Sequence, residues 1–122
     1  MSQAVRSFHA NWFYVAVVAT GIVGVWGLGL VFLKRPPRRP FHIAMGVAIG
    51  AMLVQVGAGL VLLQRGYEPG GQHIFYGVLI PIFLSIAYVY RSQLARRPAL
   101  SYGLLMLFIM GLGLRAWSKL GV

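Results

Sequence analysis

The chain has 122 residues, 59% of them hydrophobic, and its eleven Lys and Arg against one acidic residue give a formal net charge of +10. A chain of this length forms one small domain, and its mean hydropathy of +0.78 is too high for an ordinary soluble domain. The absence of cysteine excludes disulfides, thiolate metal sites and iron–sulfur clusters. Because the basic residues cluster between apolar runs, we attribute them to membrane topology and anionic headgroups, not to nucleic-acid binding.

Four apolar segments are long enough to cross a membrane, which needs about 20 residues. We predict spans over about residues 10–33, 41–63, 73–90 and 99–116; the alternative is three spans and one interfacial helix. Short loops make successive spans antiparallel neighbours. The predicted fold is therefore all-α, a single-domain polytopic integral membrane protein built as an up-down-up-down bundle of four transmembrane helices.

The basic residues also predict an orientation. The first loop carries Lys34, Arg35, Arg38 and Arg39, and the third loop carries Arg91, Arg96 and Arg97. These two loops lie on one side of the bundle, whereas the other side has four basic residues. The positive-inside rule then predicts that both Arg-rich loops are cytoplasmic and that the N- and C-termini lie outside, most simply in a bacterial cytoplasmic membrane.

Glycine accounts for 16 residues, and most of it falls within the predicted helices. In lipid, helices associate through small residues that let their backbones approach closely. Such glycines either pack the four helices of this chain or form a docking face for another subunit, and we expect leucine at Gly46 or Gly50 to disrupt packing. The predicted helix-packing residues are Gly21, Gly24, Gly27, Gly46, Gly50, Gly57, Gly59 and Gln55.

Gln55 belongs to this set because it falls in the middle of the second span. An unpaired amide there would cost several kcal/mol, so it requires a partner on a neighbouring helix. One candidate is the carbonyl of Gly77, which Pro81 would release from its helical hydrogen bond. We interpret Gln55 first as a structural interhelical contact and second as a ligand contact.

Two histidines open helices in the same local pattern, H-I-x-x-G, at His42 and His73. A glycine one turn after a histidine leaves a groove where a flat ring such as haem could lie, with imidazole as the axial ligand. His42 and His73 open successive antiparallel spans, so they lie roughly 25–30 Å apart and cannot share one iron. His9, just before the first span, is the one histidine on the side of His73, and the two meet only if the first and third helices touch.

The stretch Leu53–Leu60, followed by Gly66–Gly71 and then Gln72 and His73, resembles a helix–loop–helix of haem A synthase and of cytochrome b561-like four-helix bundles. It also resembles small bacterial four-span membrane proteins of unassigned function. The similarity covers about 40 residues. It implies that His73 is a haem ligand, although the fourth span lacks the histidine of that pattern.

Several functions lack the residues they need. Proton- or cation-coupled transport uses a carboxylate within the membrane, and the one acidic residue, Glu68, falls in a loop. A lone Glu and three histidines also form no set of nucleophile, base and orienting group, so we predict no enzyme.

The predicted function is a non-catalytic membrane subunit or scaffold, without a cofactor, in a larger bioenergetic complex, respiratory or photosynthetic. Its partners would be membrane lipids and other membrane subunits or copies of itself, not nucleic acid. The alternative is a membrane anchor for electron transfer that contacts a b-type haem or a quinone through His73 and His9.

Overall fold

The computed structural model describes residues 2–121, apart from the side chain of Ser2. Over these residues the chain forms five helices and no strand: α1 (Ser2–Phe32), α2 (Arg39–Gln64), α3 (Gly71–Val89), α4 (Arg91–Leu94) and α5 (Pro98–Ser118). Helices α1, α2, α3 and α5 are long and apolar enough to cross a membrane. The predicted all-α bundle of four membrane-spanning helices is confirmed.

Helix α1 begins at Ser2, well before the predicted start of the first span at residue 10. The first eleven residues contain neither glycine nor proline, so nothing in them interrupts a helix. The prediction that His9 lies just before the first helix is wrong: His9 lies within α1. Its side chain is therefore fixed on one helical face.

The other boundaries follow the helix-start and turn residues. Pro40 occupies the first turn of α2 and Pro98 the first position of α5, where the missing N–H costs nothing. Gly66 and Gly70 adopt φ values of 89° and 101° in the loop between α2 and α3, which a residue without a Cβ tolerates. Helix α3 continues through Pro81.

Helix α1 is the central element of the bundle, since it packs along both α2 and α5. Helix α3 packs mainly against α5 and hardly touches α2, so the ring of four helices is open between α2 and α3. The buried residues form two clusters, one toward each end of the bundle, centred on Met52 and Ile109 and on Phe41 and Met106.

Three glycines of α1 bring its backbone against α5. An ideal Cβ at Gly27 would lie 2.8 Å from the carbonyl oxygen of Ala99 and 2.8 Å from Cα of Gly103. At Gly24 it would lie 2.6 Å from the side chain of Leu107, and at Gly21 2.8 Å from Sδ of Met110. Neither helix could approach so closely with larger residues at these positions.

Gly46 and Gly50 face away from the other helices, and an ideal Cβ at either one meets nothing within 4 Å. The expectation that they pack the helices of this chain is therefore wrong, and the structure gives no reason within this chain for leucine at either position to disrupt packing. The i, i+4 spacing places both glycines on one face of α2, but it does not determine which neighbour that face contacts. Gly57 likewise meets nothing within 4 Å, whereas Gly59 lies against the ring of His9.

Gly27→Ala should lower the free energy of unfolding by about 1–3 kcal/mol, because the added methyl group meets backbone atoms that can move only with the whole of α5. Gly46→Ala is the matched control and should not lower it, since the new methyl group occupies open space and alanine favours helix. Thermal unfolding of the purified protein in detergent measures both. Equal losses in the two variants would contradict the α1–α5 contact described above.

Candidate functional site

A cavity of about 450 Å³ lies at the end of the bundle where α1 begins and α5 ends. All four long helices and the α2–α3 loop line it, because α2 and α3 stand apart there. Most of the lining side chains are apolar. The polar groups and glycines that contribute to it are Arg6, His9, Gln55, Gly59, Glu68, His73, Gly77 and Gly113.

His9 is held against α2 by a reciprocal pair of hydrogen bonds. Its Nδ1 donates to the backbone oxygen of Gln55 at 3.0 Å, and Nε2 of Gln55 donates to the backbone oxygen of His9 at 2.8 Å. One turn further along α1, the indole of Trp12 donates to the carbonyl of Ala51 at 2.8 Å. The ring of His9 rests on Gly59, where an ideal Cβ would lie 3.2 Å from its Cε1.

His73 is held against α5 in the same way. It lies in the first turn of α3, and its Nδ1 donates to the carbonyl of Ala116 at 2.7 Å. Ala116 is buried, and the bond itself is partly buried. The two histidines are thus anchored on different helices by bonds of the same type.

The fold brings His9 and His73 together, although the sequence left open whether the first and third helices touch. Their ring centres lie 6.4 Å apart and their planes are 83° to one another. Because a carbonyl oxygen only accepts, each Nδ1 carries a proton, and the neutral tautomer compatible with these bonds has its lone pair on Nε2. Among the described residues, neither Nε2 has a hydrogen-bond partner.

Gln55 connects α2 to α1, as expected of an interhelical contact, but its partner is the carbonyl of His9 and not that of Gly77. Its Oε1 is buried and has no hydrogen-bond partner among the described residues. A buried acceptor without a partner costs about 1–3 kcal/mol. The described part of the chain therefore does not satisfy all the polar groups at this site.

The mouth of the cavity is polar. Arg6 lies one helical turn before His9 on the same face of α1, and its guanidinium lies over the ring of Tyr67 at 5.3 Å from the centroid. Glu68 also lines this end. Arg6 was not among the predicted site residues, although its i, i+3 spacing from His9 was a signal that could have found it.

His42 lies at the start of α2, at the other end of that helix from Gln55 and the cavity. Its exposed ring contacts Phe41 and Tyr102, at centroid distances of 5.7 and 6.3 Å. The conclusion that His42 cannot share a ligand with His73 agrees with this placement. Within residues 2–121, no group of three or more His, Cys, Asp or Glu is close enough to hold a metal ion.

Comparison with family models, with curated proteins and with solved structures found no match for this chain.

Gln55→Leu should lower the free energy of unfolding less than Trp12→Phe does. Trp12→Phe removes a hydrogen bond and costs about 1 kcal/mol. Gln55→Leu also removes a hydrogen bond, but it removes the unpartnered Oε1 at the same time. Removing this unsatisfied acceptor offsets the free energy lost with the hydrogen bond. Thermal unfolding in detergent compares the two. A larger loss for Gln55→Leu would show that Oε1 has a partner in the folded protein.

Proposed function

We propose that this protein is a non-catalytic membrane subunit that holds one b-type haem between His9 and His73 for electron transfer. The observation that carries the proposal is the pair of imidazoles from different helices, each anchored through Nδ1, at one cavity. This observation favours the haem-binding membrane anchor, the alternative function predicted from the sequence, over a scaffold without a cofactor.

The protonation of the two rings suits metal binding. A histidine that binds a metal almost always donates its other ring N–H to a carbonyl, a carboxylate or water, which fixes the tautomer and the orientation of the ring. His9 and His73 both donate from Nδ1 to a backbone carbonyl. In the neutral form each Nε2 would have the lone pair with which the two histidines would hold a haem iron.

The separation of the rings is also suitable. An imidazole nitrogen binds a metal ion at about 2 Å, so two imidazoles that share one ion have ring centres roughly 6 Å apart. The observed centre-to-centre distance is 6.4 Å. Two protein ligands suffice for haem, because the porphyrin supplies the remaining four.

The cavity offers room for a flat apolar group. Its volume of about 450 Å³ falls within the range of small-molecule and cofactor sites, roughly 300–1,000 Å³. Gly77 follows His73 by one turn and lines the cavity, and an ideal Cβ there meets nothing within 4 Å. This space beside His73 is the groove that the H-I-x-x-G pattern predicts.

Each residue has a distinct part in this proposal. His9 and His73 would bind the iron, Gln55 and Ala116 orient the two rings, and Arg6 at the mouth would pair with a propionate. When bound, haem would supply one-electron redox chemistry at this site. The apolar walls would limit the access of water to it.

We place the protein in a bacterial cytoplasmic membrane, with both Arg-rich loops in the cytoplasm and the termini outside. A one-electron carrier needs a donor and an acceptor, so we propose that it belongs to a larger respiratory or photosynthetic complex. The outward face of α2 with Gly46 and Gly50 supports a helix–helix contact with another subunit or a second copy.

The protein purified from cells supplied with haem should show a Soret band and a reducible α-band. His9→Ala and His73→Ala should each abolish the six-coordinate spectrum, because each removes one axial ligand. His42→Ala should keep it, since His42 lies away from the cavity. Absorbance spectra of the reduced and oxidised proteins, with circular dichroism to confirm folding, provide the measurement. A colourless wild-type protein, or a spectrum unchanged in the His73 variant, would overturn the proposal.

Gly77→Leu tests the cavity without touching a ligand. The new side chain meets no atom at Cβ, so the helices should still pack, but it occupies the space beside His73. We expect haem content to fall at least tenfold. Gly46→Leu, which adds the same side chain to an open face of α2, should retain full haem content. Equal haem content in both variants would show that the cavity does not hold the haem.

A further inference from the structure

The end of the bundle opposite the cavity carries seven basic residues and no carboxylate side chain. Lys34, Arg35, Arg38 and Arg39 lie between α1 and the start of α2, and Arg91, Arg96 and Arg97 lie between α3 and α5. The one acidic residue, Glu68, lines the cavity at the other end. Counter-ions for these cations must therefore come from outside the chain.

The two basic segments meet in a groove of about 290 Å³. Arg35 of the first segment and Arg97 of the second line it. Val31, Ala99 and Leu100, together with three prolines, form the rest of its wall. The groove is thus a shallow, mostly apolar surface flanked by basic residues, and it lies where α1 ends and α5 begins, at the boundary of the spanning helices.

The backbone around the groove is firmly fixed. Just inside the bundle, Gly27 of α1 lies against Ala99 and Gly103 of α5, so the two helices cannot separate without losing this contact. Helix α1 ends in a Schellman turn, in which N–H of Arg35 donates to the oxygen of Leu30 at 2.9 Å. The prolines restrict φ on both sides of the groove.

The Schellman turn is completed by an unusual residue. Lys34 takes a φ of 56° at the position that glycine normally occupies, and its N–H donates to the oxygen of Val31 at 3.1 Å. A side chain in this conformation costs about 1–2 kcal/mol. The turn thus fixes the backbone at Arg35, which lines the groove, while keeping a cation at the preceding position.

We propose that this groove binds the headgroup of an anionic phospholipid, with its phosphate between the guanidinium groups of Arg35 and Arg97. Arginine matches phosphate geometry with paired N–H donors, and basic pockets between transmembrane helices suit anionic headgroups. The acyl chains would lie on Val31 and Leu100, which continue the apolar surface of α1 and α5. Charge complementarity selects an anionic lipid over a zwitterionic one. This site is at the other end of the bundle and does not depend on haem.

The test compares two double variants that remove the same charge. Arg35→Gln with Arg97→Gln alters the groove, and Arg38→Gln with Arg39→Gln alters exposed basic residues that do not line it. The full chain is reconstituted with mixed phosphatidylglycerol and phosphatidylcholine vesicles, released in detergent, and analysed by native mass spectrometry. Circular dichroism confirms that each variant is folded.

Wild-type protein and the Arg38/Arg39 variant should retain one phosphatidylglycerol in preference to phosphatidylcholine. The Arg35/Arg97 variant should retain at least tenfold less. Equal loss of phosphatidylglycerol in both double variants would overturn the site, because it would show that only the general surface potential attracts the lipid. Equal retention of the two lipids would overturn the preference for an anion. Unchanged lipid retention, with loss of a co-purifying acidic protein from the groove variant alone, would assign the groove to that protein instead.

Discussion

The close backbone approach of α1 and α5 is the contact on which the rest of the structure depends. In lipid, apolar side chains gain little by leaving the bilayer, so the helices need another source of association. Gly24 and Gly27 on α1, with Gly103 on α5, provide it by letting the two backbones meet. Helix α1 also packs along α2, and α3 is left to pack on α5. The opening between α2 and α3, and the cavity inside it, follow from this arrangement.

Hydrogen bonds from side chains to backbone carbonyls then set the geometry of the site. His9 and Gln55 join α1 to α2, and His73 joins α3 to α5. These bonds orient the two rings toward one cavity, although His9 is bonded to α2 and His73 is bonded to α5. The haem proposed here would therefore be held by α1, which packs on α2 and α5, and by α3, which packs mainly on α5.

The two ends of the bundle differ in chemistry because their charges differ. The end that holds the cavity combines two imidazoles with apolar walls and only a few charged residues. The opposite end has seven cations without a carboxylate, held on short proline-containing segments. The proposed haem site and the proposed lipid site therefore use different residues at opposite ends of the bundle.

The sequence by itself determined the class of fold and the number of spans, because long apolar runs in a chain with one carboxylate are stable in a bilayer as membrane-spanning helices. It also separated His42 from His73, since helix length and direction suffice for that. Only the tertiary structure decided that His9 meets His73, that Gly46 and Gly50 face outward, and that Gln55 bonds to His9 and not to Gly77. These depend on which helices are neighbours and on how each is rotated about its axis. Helices with apolar residues on every side have no hydrophobic periodicity that would reveal which helices are neighbours or how each one is rotated.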